Sequence, residues 1–173
     1  MSEILETSKY IDPPKQEKID GIIYNMAAGS YKHADIIGNL FVILYGYFRG
    51  KPCKPYTGEL EVYFDEDNTF RPDISVICDF TKMTDSGYEG APVLVVEVLS
   101  PGTARFDYGK KFACYQKYGV QEYWLVSPEY LTIEQYVLDN GAFRSVAVRL
   151  MNFNSYIFED LEIDLDEVFS FGR

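Results

Sequence analysis

The chain has 173 residues, of which 47% are apolar, and a formal net charge of −11. This length fits one domain, and the apolar share argues against a disordered chain. The longest strongly apolar stretch, Ala91 to Leu99, is too short to cross a membrane, and the N-terminus lacks the apolar segment of a signal peptide. We therefore predict one cytoplasmic domain over residues 1–173, with residues 1–16 as a loosely held arm.

The negative charge is concentrated near the C-terminus. Residues 32–120 carry 10 basic and 12 acidic groups, whereas residues 121–173 carry 3 and 10. A polyanion such as DNA is bound largely through contacts of Lys and Arg with phosphates. The charge therefore weighs against tight DNA binding, although its position leaves the central part of the chain nearly neutral.

The first regular element is a helix over Lys32 to Phe48, because Ile36, Leu40 and Leu44 recur at the spacing of an amphipathic face. Gly50 follows it and favours its end.

A β-hairpin is predicted next. Glu59 to Phe64 and Phe70 to Cys78 have the composition of strands and flank the polar turn Asp65 to Asn68. Pro92 to Leu99 is rich in β-branched residues, which favours a central strand covered on both faces.

A second helix is predicted over Phe106 to Tyr118, ending at Gly119. Three strands follow, at Glu122 to Val126, Leu131 to Leu138 and Ala142 to Leu150. Asn140-Gly141 favours a type I′ turn between the last two. This order predicts an α/β (α+β) fold with one mixed β-sheet flanked by helices.

Other side chains are assigned to packing or to contacts between subunits. Cys53, Cys78 and Cys114 are odd in number and widely spaced, so we expect small buried side chains rather than a disulfide or a zinc site. Aromatic residues at helix and strand core positions are expected in the interior: Tyr115, Tyr118, Tyr123 and Trp124. The aromatic strand 131–138 is the expected surface of a homodimer.

Two acids stand out as candidates for chemistry. Glu97 lies within an apolar strand, where a buried carboxylate needs a partner. If strands 73–78 and 92–97 pair antiparallel with position 78 opposite 92, Asp73 faces Glu97. Carboxylates about 4.5–5.5 Å apart repel each other unless a proton or cation lies between them. Oxygen ligands favour Mg²⁺ or Mn²⁺, with the backbone carbonyl of Val98 as a third protein ligand.

Both acids also have structural interpretations. Asp73 follows a proline and could be an ordinary carboxylate at the start of a strand. Glu97 could instead pair with Arg71 or Arg105, as buried acids do in proteins without catalytic sites.

Lys111 is the candidate cation. It lies four residues after Asp107 on the helix that follows the central strand, and such helices pack back across the sheet. Lys111 is therefore expected to point at the two carboxylates. The alternatives are a surface pair with Asp107, or the neighbouring Lys110 as the functional lysine.

Four segments in order resemble a known family: RPDISV at 71–76, VVEVLSPGT at 95–103, DYGKKFACY at 107–115 and GVQEYWLVSP at 119–128. They resemble the small restriction endonucleases of the Uma type in the PD-(D/E)xK nuclease superfamily. The resemblance extends from Glu17 to Leu138, since KIDGIIYNM at 18–26 is similar to the opening of the family.

The resemblance implies a restriction-endonuclease-like fold and a nuclease that acts on DNA. It implies Asp73 and Glu97 as metal ligands and Lys111 as the lysine that orients or activates water. The superfamily's usual lysine follows the glutamate by two positions, where this chain has Leu99. In this family the role passes to the helix, four residues after Asp107.

Two further residues match acidic and histidine positions of the family. Glu17 matches an acid that could contact the metal or its neighbours, although a Glu between Lys15 and Lys18 is usually solvated. His33 matches a histidine at the start of the first helix, where capping is the common role.

Two function classes remain. The first is a metal-dependent endonuclease that hydrolyses phosphodiester bonds with Mg²⁺ or Mn²⁺. The second is a catalytically weak or inactive nuclease fold that acts as a homo-oligomeric binding module. Serine or cysteine hydrolysis is disfavoured because the chain has one histidine and no GxSxG, and nucleotide binding because GxGxxG and GxxxxGK are absent.

Overall fold

The computed structural model describes residues 14–171 and shows a mixed α+β architecture. The helices are α1 (Tyr31–Phe48), α2 (Ala104–Asp107), α3 (Lys110–Tyr118) and α4 (Leu165–Val168), with a 3₁₀ helix at Phe80–Lys82. The strands are β1 (Gln16–Ile19), β2 (Ile22–Asn25), β3 (Lys54–Thr57), β4 (Val62–Asp65), β5 (Asn68–Phe70), β6 (Ile74–Ile77), β7 (Tyr88–Glu89), β8 (Leu94–Val98), β9 (Glu122–Ser127), β10 (Thr132–Asp139), β11 (Ala142–Arg149), β12 (Phe153–Asn154) and β13 (Glu162–Ile163). The described helices include none long and apolar enough to cross a membrane.

Residues 1–13 of the predicted N-terminal arm lie outside the described residues. The prediction is wrong at the end of the arm, because Gln16 already begins β1. This strand pairs with β2 and β5, so its backbone hydrogen bonds tie it into a sheet.

Helix α1 confirms the helix predicted for residues 32–48. The Ser30 hydroxyl accepts the backbone N–H of His33 at 3.3 Å, which caps the helix and fixes where it begins. Its buried residues form one stripe, Ile36, Leu40, Leu44 and Phe48. This stripe packs on Ile74 and Val96 in the core, so the start of α1 is held close to the ends of β6 and β8.

A six-stranded mixed sheet carries most of the core, with strand order β11-β10-β9-β8-β6-β3. Only β8 and β9 run parallel, and the other neighbours are antiparallel. Strand β8 is buried along its whole length, as its apolar sequence predicted. Side chains alternate between two hydrophobic clusters, so that Val96 belongs to one and Val95 to the other.

The predicted register of the acids is confirmed. Strands β6 and β8 pair with Ile74 opposite Val96 and Val76 opposite Leu94. One step further along the same register, Asp73 lies opposite Glu97. A shift by one residue would have turned one acid to the other face.

The prediction of a single sheet is wrong. A second, five-stranded sheet has the order β2-β1-β5-β4-β7, and β12 pairs with β13 in a small third sheet. The hairpin predicted for residues 59–78 therefore divides. Strands β4 and β5 form it, whereas β6 joins the six-stranded sheet. Pro72 lies between β5 and β6 and cannot donate a backbone hydrogen bond, which allows the chain to leave one sheet for the other.

The helix predicted over residues 106–118 is interrupted. It consists of α2 and α3, separated at Tyr108 and Gly109. A Cβ on Gly109 would lie 2.7 Å from the Arg105 carbonyl oxygen, so this close approach requires glycine. Gly119 ends α3 with φ +89°, the left-handed conformation expected of it.

The three C-terminal strands are confirmed within one or two residues. Asn140 and Gly141 both have positive φ, as a type I′ turn requires. The expectation of an exposed aromatic strand at residues 131–138 is wrong, because β10 lies between β9 and β11 and Ile133 and Val137 are buried. The homodimer itself stays a prediction. Three of the four aromatic residues assigned to the core, Tyr115, Tyr123 and Trp124, are fully buried. Tyr118 is partly buried and packs at the margin of the cluster that contains Tyr115 and Tyr123.

The expectation for two of the cysteines is wrong. Cys53 and Cys78 form a disulfide, with their Cα atoms 4.1 Å apart. They extend the register in which Lys54 pairs with Ile77, so neighbouring strands bring together residues 25 positions apart in sequence. Cys114 is free and buried, as expected.

Candidate functional site

The carboxylates of Asp73 and Glu97 each accept a hydrogen bond from a backbone N–H of the other segment. The Asp73 carboxylate accepts the N–H of Val98 at 2.7 Å, and Glu97 Oε2 accepts the N–H of Asp73 at 3.3 Å. Strand pairing brings the two positions together, and the Asp73 amide, just before β6 begins, points at Glu97 Oε2. The two carboxylates therefore lie at one end of the six-stranded sheet.

Lys111 meets Glu97 from the helix side. Its Nζ lies 2.8 Å from Glu97 Oε1, 3.0 Å from Glu17 Oε1 and 3.6 Å from Asp107 Oδ1, and its side chain is only 4% exposed. The alternative of an exposed pair between Lys111 and Asp107 is therefore wrong. Leu99 packs with the apolar core, so the ammonium group reaches Glu97 from α3.

The proposed arginine partners of Glu97 are not used. Arg71 instead pairs with Glu61 at 2.9 Å, and Arg105 lies over the Phe106 ring. Lys110 points away from the site, where its Nζ pairs with Asp20 at 3.0 Å and its side chain is 44% exposed. The two adjacent lysines thus point in different directions, and of the two only Lys111 contacts the carboxylates of the site.

Glu17 is buried in the site, so the expectation of a solvated side chain is wrong. Strand β1 turns Glu17 and Ile19 inward and leaves Gln16 exposed. Besides its pair with Lys111, the Glu17 carboxylate accepts the N–H of Arg71 at 2.8 Å. The signal that could have shown this is the alternation of Glu17 and Ile19 on one face of a short strand.

His33 both caps and belongs to the site. Its backbone N–H binds Ser30, while its ring Nε2 lies 3.3 Å from Asp73 Oδ2. The hydrogen bond to Asp73 raises the pKa of His33; burial opposes this, and a hydrogen bond with the Val98 backbone adds to it. A Cβ on Gly29 would lie 2.6 Å from His33 Nδ1, so the ring position depends on glycine there.

Tyr115 is the site residue that sequence reasoning assigned to packing alone. Its hydroxyl donates a hydrogen bond of 2.6 Å to Glu97 Oε1, the same oxygen that Lys111 contacts. Its position four residues after Lys111 on a helix was the available signal, since such residues share a face.

Negative charge is in excess in this cluster. Four carboxyl groups, those of Glu17, Asp73, Glu97 and Asp107, face Lys111 and His33. If all four carboxyl groups were ionised and both bases protonated, two negative charges would have no counterpart among these described residues.

The excess shows in the proton affinities. Burial raises the pKa of Glu97 to about 8; the attraction of Lys111 only partly offsets this, and the neighbouring acids add to it. Burial likewise raises the pKa of Asp107. Burial lowers the pKa of Lys111, because it disfavours the charged ammonium group. The attraction of Glu97 and the other acids outweighs this effect and holds the pKa well above its usual value.

The donors fit a hard divalent cation in chemistry. The candidate ligand atoms are carboxylate oxygens, acids outnumber bases in the cluster, and Asp107 Oδ1 is buried without a hydrogen-bond partner among the described residues. Within residues 14–171, however, no three His, Cys, Asp or Glu side chains are arranged to hold a metal. Asp73 and Glu97 therefore offer two side-chain ligands, and water or backbone oxygens would have to complete the shell.

An open cleft reaches this end of the sheet. It has a volume of about 380 Å³, and Asp73 forms part of its wall together with Gly29, Ile37 and Thr57. Small side chains at Ala27 and Ala28 keep it accessible. A ligand in the cleft would meet Asp73 before the more deeply buried Glu97 and Lys111.

Comparison with known proteins places this geometry in context. The model of the Uma2 family, described as "Putative restriction endonuclease", matches residues 6–166. The uncharacterized protein slr1290 of Synechocystis sp. is 36% identical over 124 residues, a match that covers 70% of this chain and 65% of slr1290. The chain thus spans about two thirds of the length of that relative. A second uncharacterized Synechocystis protein, sll1609, is 28% identical over 144 residues, covering 78% of this chain and 81% of sll1609.

The fold has a counterpart among solved structures. The crystal structure of a putative nuclease belonging to DUF820 from Anabaena variabilis aligns with a TM-score of 0.74 and 22% identity, covering 90% of both chains. The predicted restriction-endonuclease-like fold is confirmed by this likeness.

Proposed function

Because the chain belongs to the Uma2 family, we propose that it is a metal-dependent nuclease that hydrolyses phosphodiester bonds in DNA. The observation that carries the proposal is the juxtaposition of Asp73 and Glu97 beside an open cleft, with Lys111 Nζ 2.8 Å from Glu97. Two carboxylates can hold a divalent ion that activates water for the hydrolysis of a phosphodiester, and a lysine beside them adds positive charge for the phosphate.

Each residue has a distinct task in this proposal. Asp73 and Glu97 would hold Mg²⁺ or Mn²⁺, with the Val98 carbonyl as a further oxygen. A bound ion of this kind supplies a polarised water and positive charge for the phosphate oxygens. The attraction of Lys111 favours the ionised form of Glu97, although burial outweighs it while no metal is bound. Its ammonium group would add positive charge close to the carboxylates and so favour a phosphate at the cleft.

Supporting residues surround these three. Glu17 and Asp107 hold Lys111 in place from two further directions. His33 lies beside Asp73 and can hold a proton at Nε2, because the Asp73 carboxylate favours the charged imidazole. A proton held there is available to a leaving oxygen in the cleft.

A binding module without catalysis is the second candidate, and two observations favour it. Lys111 is enclosed by three acids and is almost fully buried, so a phosphate must compete with them for its charge. Among the described residues, the cleft is lined by a single basic residue, Lys15, which is already paired with Glu59, and the whole chain carries a net charge of −11. In this case a metal binds but no strand is cut.

Cleavage assays separate the two candidates. Purified protein is incubated with supercoiled plasmid, single-stranded DNA and RNA at low salt, with Mn²⁺, Mg²⁺ or a chelator. Asp73→Asn and Lys111→Ala are the test variants, and Lys110→Ala is the matched control because it removes the adjacent, exposed lysine. We expect metal-dependent DNA cleavage that both test variants lose and the control keeps.

Other outcomes would count against the nuclease. If well-folded protein cuts no nucleic acid with either metal, the binding module becomes the better account. If Lys110→Ala loses as much activity as Lys111→Ala, the assignment of the lysine is wrong.

A further inference from the structure

We infer that Tyr115 is a positioning residue for this site: its hydroxyl fixes the Glu97 carboxylate so that Oε2 faces Asp73, where the two carboxylates would hold a cation. The inference rests on the proposed function for its link to catalysis, but its structural content can be tested apart from cleavage.

Two donors meet on one oxygen of Glu97. The Tyr115 hydroxyl lies 2.6 Å from Oε1, and Lys111 Nζ lies 2.8 Å from the same atom. Oε2 is left with the backbone N–H of Asp73 at 3.3 Å. The two carboxylate oxygens thus have separate tasks, since Oε1 is held by helix α3 and Oε2 is turned toward Asp73.

Neighbouring aromatic rings contact the Tyr115 ring on several sides, so the position of its hydroxyl is fixed. It is fully buried, with ring centroids 5.5 Å from Phe64, 5.5 Å from Phe70 and 5.0 Å from Tyr123. These contacts need an aromatic ring but not a hydroxyl group. A hydroxyl in such apolar surroundings is unfavourable unless it is hydrogen-bonded, and its bond here is to Glu97.

Lys111 cannot perform this task alone. Its ammonium group also contacts Glu17 and Asp107, and an ammonium attracts either oxygen of a carboxylate from any direction. A tyrosine hydroxyl has one proton to donate and a fixed line of approach. Tyr115 therefore distinguishes Oε1 from Oε2, which Lys111 does not.

The test compares two tyrosines that differ in this contact. Tyr115→Phe removes only the hydroxyl on Glu97. Tyr123→Phe is the matched control, because Tyr123 is equally buried and packs edge-on against Tyr115, and the variant also loses one hydrogen bond, to the Asp107 backbone carbonyl at 3.1 Å. Thermal unfolding establishes that both variants are folded.

Mn²⁺ binding to the full chain is measured by calorimetry, and cleavage is measured over a range of Mn²⁺ concentrations. We expect Tyr115→Phe to raise the Kd for Mn²⁺ about 5- to 10-fold, the effect of losing one hydrogen bond of typical strength. At saturating Mn²⁺ its kcat should stay within about threefold of the wild type, since the effect is on positioning of a ligand. Tyr123→Phe should keep the Kd within about twofold. An unchanged Kd in Tyr115→Phe, or an equal rise in both variants, would overturn the inference.

A crystal structure of Tyr115→Phe gives a readout that needs neither metal nor cleavage. Displacement of Glu97 Oε2 from the Asp73 amide supports the inference, and an unmoved carboxylate refutes it. If the wild type cuts no DNA while Tyr115→Phe still shifts Glu97 and weakens Mn²⁺ binding, the nuclease proposal fails and the role of Tyr115 stands.

Discussion

Glu97 and Lys111 form an ion pair of 2.8 Å in which each side chain is 4% exposed. Charges so far from water are tolerated because they compensate each other. The pair is shared with Glu17 and Asp107, so the lysine is the common partner of three acids.

Lys111→Met should therefore destabilise the metal-free protein. Removal of the Lys111 ammonium group leaves buried carboxylates without a counter-charge, which costs about 3–5 kcal/mol in comparable cases. The free energy of unfolding is measured by urea denaturation at pH 7. Lys110→Met is the control, and its unfolding midpoint should not change because Lys110 is exposed. An equal loss of unfolding free energy in both variants would show that the loss does not come from the burial of Lys111.

The stability of the metal-free protein should fall as pH rises from about 5 to 8. The folded state holds the proton of Glu97 up to a pKa of about 8, whereas the unfolded state releases it near 4.5, so the folded state binds more protons in this window. The raised pKa of His33 acts in the same direction. The stability that protonated His33 contributes is complete below about pH 6.5 and is lost as the pH rises through the pKa of the folded state. Urea denaturation at intervals of one pH unit measures the slope.

Glu97→Gln provides the comparison for this pH dependence. The variant cannot titrate at position 97, so its stability should vary less with pH between 5 and 8. A wild-type stability that rises across this range, or a slope that Glu97→Gln leaves unchanged, would contradict the account.

His33 can be followed directly, because it is the only histidine of the chain. Its ring proton signals in the NMR spectrum of untagged protein should titrate with a pKa above 6.5. Asp73→Asn removes the carboxylate 3.3 Å from Nε2 and should lower this pKa. Asp79→Asn changes an acid at the other end of β6 and serves as the control. If Asp73→Asn leaves the titration unchanged, the imidazole does not contact Asp73 in solution.

The disulfide predicts the number of reactive thiols. Unfolded without reductant, the protein should expose one thiol, that of Cys114, and after reduction it should expose three. Cross-linking residues 25 apart stabilises a folded chain by about 3 kcal/mol through the entropy of the unfolded state. Reduction should thus lower the free energy of unfolding by a similar amount. Three reactive thiols before reduction would show that the bond does not form in the purified protein.

The sequence by itself determined the local elements and the central pair of acids. The spacing of Ile36, Leu40 and Leu44 was sufficient to predict α1, because residues three and four positions apart lie on the same face of a helix. The apolar strand around Glu97 implied burial and a partner. The register that places Asp73 opposite Glu97 was a conditional prediction from the sequence, and the pairing of β6 with β8 confirmed it.

Only the tertiary structure decided which distant residues complete the site. Glu17, His33 and Tyr115 each have an ordinary local interpretation, as a solvated acid, a capping histidine and a core ring. They meet at Asp73 and Glu97 because β1 joins the second sheet, α1 packs across the first, and α3 returns over β8. The disulfide depends in the same way on β3 and β6 becoming neighbours. Such contacts depend on where whole elements pack, which the periodicity of any single segment does not contain.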